Sequence, residues 1–184
     1  IVIGTSYGGI EALRLIFSQF EENFPLPVIV VLHIGEHSND LFIRHLNNMC
    51  KLEVKEADSN EPVLPGYIYF APPNYHLQVE DDFTFSLSTD VKLNFSRPSI
   101  DILFESAAWA YKNTLIGVIL TGANSDGAKG LKIIKEMGGK TIVQNPCHAV
   151  ASAMPQAALK AVMPDIRLNI EEIAEKLIDL AYSK

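Results

Sequence analysis

Short β-branched runs and apolar residues at helical spacing take turns along most of this chain. Ile1-Val2-Ile3 predicts a strand over 1–3, and from about residue 8 the residues Ile10, Leu13, Phe17 and Phe20 predict a helix with one apolar face. Val28–Leu32 has no polar position, which predicts a strand buried on both faces, and Leu41, Ile43 and Leu46 predict a helix from about 39. This βαβα order predicts a parallel sheet with helices on both faces. The middle breaks the alternation. Glu53-Val54, Tyr67–Phe70, His76–Val79 and Phe83-Thr84-Phe85 are brief strands separated by Asn60-Glu61-Pro62, Pro72-Pro73-Asn74 and Asp81-Asp82, which predict hairpin turns and an antiparallel extension. After Arg97-Pro98-Ser99 the alternation resumes: helix over roughly 100–112, strand 115–120, helix 127–137, strand 141–143, helix from 155. A closing helix over 170–182 is capped by Asn169, with Glu171 and Glu172 in its first turn.

The expected fold class is therefore α/β: a three-layer α/β/α arrangement, mostly parallel and Rossmann-like, with a small antiparallel hairpin extension. The chain has 184 residues, of which 48% are hydrophobic, enough to bury the core of one domain over 1–184. Its net charge is −7 and its fifteen basic residues are scattered, so it lacks the basic stripe of a nucleic-acid or anionic-membrane binder. Cys50 and Cys147 are too few for a disulfide framework and have no zinc-like spacing, which fits a reducing cytoplasm. No apolar stretch approaches a membrane span of about 20 residues, so no membrane insertion is expected.

Chemistry enters at Gly4-Thr5-Ser6-Tyr7-Gly8-Gly9, where a serine sits on a glycine-hinged turn between a predicted strand and helix. Such a turn pushes the hydroxyl clear of the sheet and sets it beside the free N–H groups of a helix N-terminus. A phosphate-cradling turn is the other reading, but the dinucleotide fingerprint asks for glycine where Ser6 stands and for an acidic end to the next strand, which here ends in His33. The strand over 115–120 runs into Thr121-Gly122-Ala123-Asn124-Ser125-Asp126-Gly127. In a parallel sheet these three carboxyl ends converge, and Ser6, His33 and Asp126 make a hydrolytic triad: nucleophile, general base, and the carboxylate that orients the imidazole. One ring nitrogen of His33 is then expected to face Ser6 Oγ and the other Asp126. The order Ser…His…Asp differs from the Ser…Asp…His of α/β-hydrolases.

These motifs resemble the catalytic domain of the chemotaxis receptor methylesterases, the CheB family. The resemblance runs through Gly4–Gly9, His33, Pro65–Pro72 with His76, Arg97–Asp101, Leu120-Thr121-Gly122 through Asp126-Gly127 and Gly130, Gly138-Gly139, Gln144, and Met154-Pro155 with Ala158. It implies hydrolysis of glutamyl methyl esters on chemoreceptors with release of methanol, deamidation of receptor glutamines, the methylated receptor's cytoplasmic domain as protein substrate, and no cofactor or metal. It also implies that the N–H at Ala123 helps hold the oxyanion, with Tyr7 and Gly8 beside the nucleophile in the substrate cleft. Family members usually carry a receiver domain, and none is expected within 1–184. The chain departs from the family pattern at Tyr7, where a small residue is usual, and at Ala123-Asn124, where methionine and glycine are common.

Plainer roles compete for each residue. Ser6 could cap the first helix, His33 could bond to backbone, and Asp126 could cap the helix that starts at Gly127. His37, His45 and His148 read as surface histidines. His76 could stand at the edge of the site, Arg97 in a structural ion pair, and Asp101 in a helix first turn where negative charge is favourable. Two other functions also stay open: a hydrolase of the same fold acting on another ester or amide, and a binding module with a vestigial triad.

Overall fold

The uninterrupted apolar run Val28–Leu32 lies in the interior of a seven-stranded sheet, covered on both faces. The protein is represented by a computed structural model that describes residues 1–33 and 39–183. In chain order the elements are β1 (Val2–Thr5), α1 (Gly9–Phe17), β2 (Val28–Leu32), α2 (Asn39–Met49), β3 (Glu53–Glu56), β4 (Tyr67–Phe70), β5 (His76–Val79), β6 (Phe85–Ser88), α3 (Ile100–Tyr111), β7 (Ile116–Ile119), α4 (Ala128–Glu136), β8 (Lys140–Gln144), α5 (Ala153–Ala161), β9 (Ile166–Leu168) and α6 (Ile170–Tyr182). The sheet order is β3-β4-β2-β1-β7-β8-β9, parallel throughout, and β5 and β6 form a separate antiparallel pair.

Side-chain alternation sorts the strands between two cores. Ile3, Val28, Val30 and Val118 pack with Leu13 and Phe17 of α1, Ile43 and Leu46 of α2, and Ile173 and Leu177 of α6. Val2, Ile29, Val31 and Ile119 face the other way, toward Leu103 and Phe104 of α3, Leu131 of α4, Ala158 of α5 and the hairpin residue Leu77. The three-layer α/β/α arrangement with a small hairpin is thus the observed fold.

Several local expectations differ. β3 and β4 are parallel members of the main sheet, not part of an antiparallel extension. The turn residues between them have another job: Asn60 and Val63 donate N–H bonds to Phe85 and Phe83, so this segment lies along the hairpin. Phe83 sits in the hairpin turn at φ 62°, and β6 starts only at Phe85. Ile166-Arg167-Leu168, too short to signal itself, adds an edge strand beside β8. Ile10 does not share the buried face of α1 and is exposed, while Phe20, past the helix end, is buried and stacks on Phe24 at 4.2 Å between ring centroids. His37 and the side chain of Leu41 lie outside the described residues.

The chain leaves β1 toward β2 on one side and later returns to β7 on the other. Strand order therefore reverses between β1 and β7, and the crevice at their carboxyl ends is where an open α/β sheet places a ligand.

Candidate active site

Ser6 is the first residue past β1, and its N–H donates to Thr121 O at 3.0 Å, joining the end of β1 to the turn past β7. Thr5 Oγ1 donates to the same carbonyl at 2.8 Å, and Thr121 Oγ1 donates to Tyr7 O at 2.9 Å. Buried Gln144 accepts the Thr121 N–H through Oε1 at 2.8 Å, so the turn is held from β8 as well. Gly8 opens α1 as its N-cap at φ 81°, in the left-handed region, and no side chain among the described residues caps the helix. The capping role open to Ser6 from sequence therefore falls away.

Ser6 is half-buried, and it lines a cleft of about 400 Å³ together with His33; Tyr7, Ile10 and Glu11 form its walls. Tyr7 is 68% exposed. Among the described residues, no hydrogen bond engages the N–H groups of Tyr7, Gly8 or Ala123. Free donors beside a serine on a helix N-terminus suit a developing oxyanion.

His33 continues β2, with its N–H donated to Thr5 O at 3.1 Å. Its ring lies between two side chains and is hydrogen-bonded to one of them. Nε2 lies 3.1 Å from Asp126 Oδ2, off the straight hydrogen-bond direction, and Nδ1 lies 3.0 Å from Asn124 Nδ2. Among the described residues, no hydrogen bond joins His33 to Ser6 Oγ. The nitrogen expected to face the serine meets Asn124 instead.

Asp126 is 1% exposed and densely bonded. It accepts Ser99 Oγ–H at 3.0 Å, Ile100 N–H at 2.7 Å and Asp101 N–H at 3.1 Å. It thus serves the N-terminus of α3, a helix remote in sequence, whereas the sequence offered the helix after Gly127. The close approach that permits this passes through Gly4, where a Cβ would stand 2.4 Å from Ile100 Cγ2. Burial pushes the Asp126 carboxyl up, but the His33 contact and the Ile100 and Asp101 N–H groups outweigh it and hold the group below the ordinary aspartate range. Asp101 goes the other way. Burial raises it, the Gly130 N–H at 2.8 Å opposes that in part, and the nearby Asp126 charge raises it further.

His76 is buried away from the cleft. Its Nδ1 accepts Ser99 N–H at 3.2 Å and its Nε2 lies 3.2 Å from Val91 O, so it supports the residue that supports Asp126. Arg97 forms no ion pair among the described residues and donates to the backbone carbonyls of Thr89 and Asp90. His45 and His148 are exposed, and no group of three or more His, Cys, Asp or Glu among the described residues could hold a metal ion. The sequence reading missed Ser99 and Asn124 as partners of the site. Ser99 was visible only as part of Arg97–Asp101, and Asn124 only as a departure two residues before Asp126.

The profile of the CheB methylesterase family matches residues 1–177. The chain belongs to the CheB methylesterase family. A crystal structure of the Thermotoga maritima CheB methylesterase catalytic domain superposes with a TM-score of 0.94 at 36% identity, covering 97% of this chain and 96% of that one. A Leptospira interrogans protein, provisionally named protein-glutamate methylesterase/protein-glutamine glutaminase, is 50% identical over 98% of this chain and 93% of its own length. A Thermotoga maritima protein-glutamate methylesterase/protein-glutamine glutaminase is 36% identical over 98% of this chain but only 53% of its own length. The chain thus spans nearly all of one CheB relative and about half of another.

Proposed function

We propose that this protein is a serine hydrolase that removes methyl groups from glutamyl methyl esters of chemoreceptors, and that it deamidates receptor glutamines as a second activity. Family membership supports the reaction class. The observation that carries the assignment of residues is the shared cleft of Ser6 and His33, with Asp126 on the far nitrogen of the imidazole.

In this reading Ser6 Oγ attacks the ester carbonyl while its proton passes to His33 Nδ1. The tetrahedral oxyanion lies against the N–H groups of Ala123 and of the Tyr7-Gly8 turn, which have no partner among the described residues, each such donor being worth roughly 10²–10³ in rate. Collapse expels methoxide, which takes the proton from His33 and leaves as methanol. Water, activated by the same nitrogen, then attacks the acyl-serine and releases the glutamate and Ser6. Asp126 stabilises the imidazolium that forms in each half-reaction. A glutamine side chain follows the same route with ammonia as the leaving group.

The protein substrate is the cytoplasmic domain of a methylated receptor, which sets the reaction in the cytoplasm, and residues 1–184 act as one catalytic unit. No helix among the described residues is long and apolar enough to cross a membrane. The test is methanol release from a methylated receptor fragment. Ser6→Ala should lower kcat by about 10³-fold or more, His33→Ala by a similar factor, and the double variant by little more, because the two side chains act as a unit. Retained activity in Ser6→Ala would remove the assignment.

A further inference from the structure

Asn124 is bonded at both ends of its amide. Its Oδ1 accepts the Asp126 N–H at 2.9 Å, which fixes the orientation of the group and turns Nδ2 toward His33 Nδ1 at 3.0 Å. An imidazole nitrogen that accepts from an amide NH₂ carries no proton, so the neutral ring bears its proton on Nε2, the nitrogen facing Asp126. Nδ1 then has one in-plane lone pair, and it is the only basic site left for the Ser6 proton. Asn124 Nδ2 and Ser6 Oγ compete for that lone pair, and in this structure Asn124 holds it.

The geometry points to Asn124 as a positioning residue with two effects: it selects the Nε2–H tautomer of His33, and it latches the general base until a substrate in the cleft brings Ser6 onto Nδ1. The inference rests on the hydrolase reading and adds a resting state to it. In the productive state the Asn124 amide turns aside and the Ser6 proton takes its place on Nδ1, so the tautomer that Asn124 selected is the one the reaction needs. The latch exists because residue 124 is long enough to span from the Asp126 N–H to the imidazole.

Three variants separate the latch from the local turn. Asn124→Ser keeps an oxygen able to accept the Asp126 N–H two residues ahead but is too short to reach His33. Asn124→Gly removes both bonds. Asn124→Asp keeps the reach and the turn but presents an oxygen to Nδ1, which draws the ring proton there. The first readout is the second-order rate at which a small fluorophosphonate labels Ser6, a reaction that needs the base but no receptor contacts. Asn124→Ser and Asn124→Gly should label about two- to tenfold faster than the unsubstituted protein, the scale of one lost competing hydrogen bond, and Asn124→Asp should label more slowly. The second readout is the ring ¹⁵N spectrum of His33, which should show protonated Nε2 in the unsubstituted protein and protonated Nδ1 in Asn124→Asp, a change that a purely structural role would not produce. Unchanged labelling in Asn124→Ser, or an unchanged tautomer in Asn124→Asp, overturns the latch. If labelling is Ser6-dependent but indifferent to residue 124, the latch alone falls; if no variant shows Ser6-dependent labelling, the hydrolase reading falls with it.

Discussion

Asp126 contacts the His33 ring and Ser6 shares a cleft with it, yet the surroundings of the two residues could hardly differ more. Asp126 is 1% exposed and accepts bonds from Ser99 Oγ and the N–H groups of Ile100 and Asp101, with His33 beside it. Ser6 lies on an open cleft beside N–H groups with no partner among the described residues. A buried charge is costly unless hydrogen bonds surround it, so the acid end is rigid and fully engaged. In the proposed reaction the Ser6 end must meet substrate and offer donors to charge that exists only in the transition state, which an unfilled cleft allows. Burial alone does not decide the ionisation of such a group. Asp101, 5% exposed in the first turn of α3, is shifted up by burial, with the Asp126 charge adding to it and the Gly130 N–H and the Lys129 charge offsetting it only in part, whereas Asp126, buried as well, is shifted down by His33 and the helix N-terminus.

The contrast breaks most completely at Asp126. Asp126→Ala strands the donors of Ser99, Ile100 and Asp101 and should lower unfolding free energy by about 2–4 kcal/mol, as measured by urea denaturation. The same change should lower kcat for methanol release by about 10³–10⁴-fold. Asp126→Asn, which keeps the shape, should recover part of the stability but little of the rate. Full stability in Asp126→Ala would mean that α3 does not depend on this carboxylate for its start.

Acid should erode the same end. The folded Asp126 value is depressed, so the ionised group contributes stability above the unfolded aspartate value of about 4, and that contribution is lost as pH falls through the lower folded value. Asp101 has the opposite sign: its raised value returns stability on acidification between its unfolded and folded values. Comparing the protein with Asp126→Asn from pH 7 downward isolates the first effect. Their difference in unfolding free energy should be constant at neutral pH and shrink below about pH 4; a difference independent of pH would show that the carboxylate charge does not stabilise the fold.

A milder change tests how redundant the acid end is. Ser99→Ala removes one neutral donor and leaves the Ile100 and Asp101 N–H groups in place, so it should cost about 1 kcal/mol of stability and less than tenfold in kcat. A loss as large as that of Asp126→Ala would make the hydroxyl, and not the helix N-terminus, the main support.

The smallest expected effect on folding lies at the open end. Tyr7 is exposed on the cleft wall, so Tyr7→Ala should leave stability within about 0.5 kcal/mol. It should change the ratio of receptor methyl-ester hydrolysis to hydrolysis of a small activated ester. A parallel large fall in both rates would place Tyr7 in the catalytic machinery, and no change in either would mean that substrate does not pass over it.

Elements whose residues act locally were readable in order along the chain. Val28–Leu32 is a central strand because nothing polar interrupts it, and α6 begins where Asn169 and Glu172 form reciprocal capping bonds. Ser6, His33 and Asp126 could be picked out because each follows a strand, and parallel strands bring their carboxyl ends to one edge. What depends on partners distant in sequence was not readable. Asn60–Val63 carries turn chemistry, yet its backbone groups are claimed by Phe83 and Phe85, and this left β3 and β4 to run parallel. Ile10 has the spacing of a core residue, but the cleft opens where its neighbours would be. Asp126 looks like a cap for its own helix, yet apart from the adjacent Gly127 N–H its carboxylate bonds go to the start of α3, because the glycine at position 4 lets that helix approach the sheet. Asn124 looked like a bare departure from the family pattern. Its place on His33 emerges only when the ends of β2 and β7 are brought side by side across β1, since a hydrogen bond between residues 91 positions apart has no signature in the residues themselves.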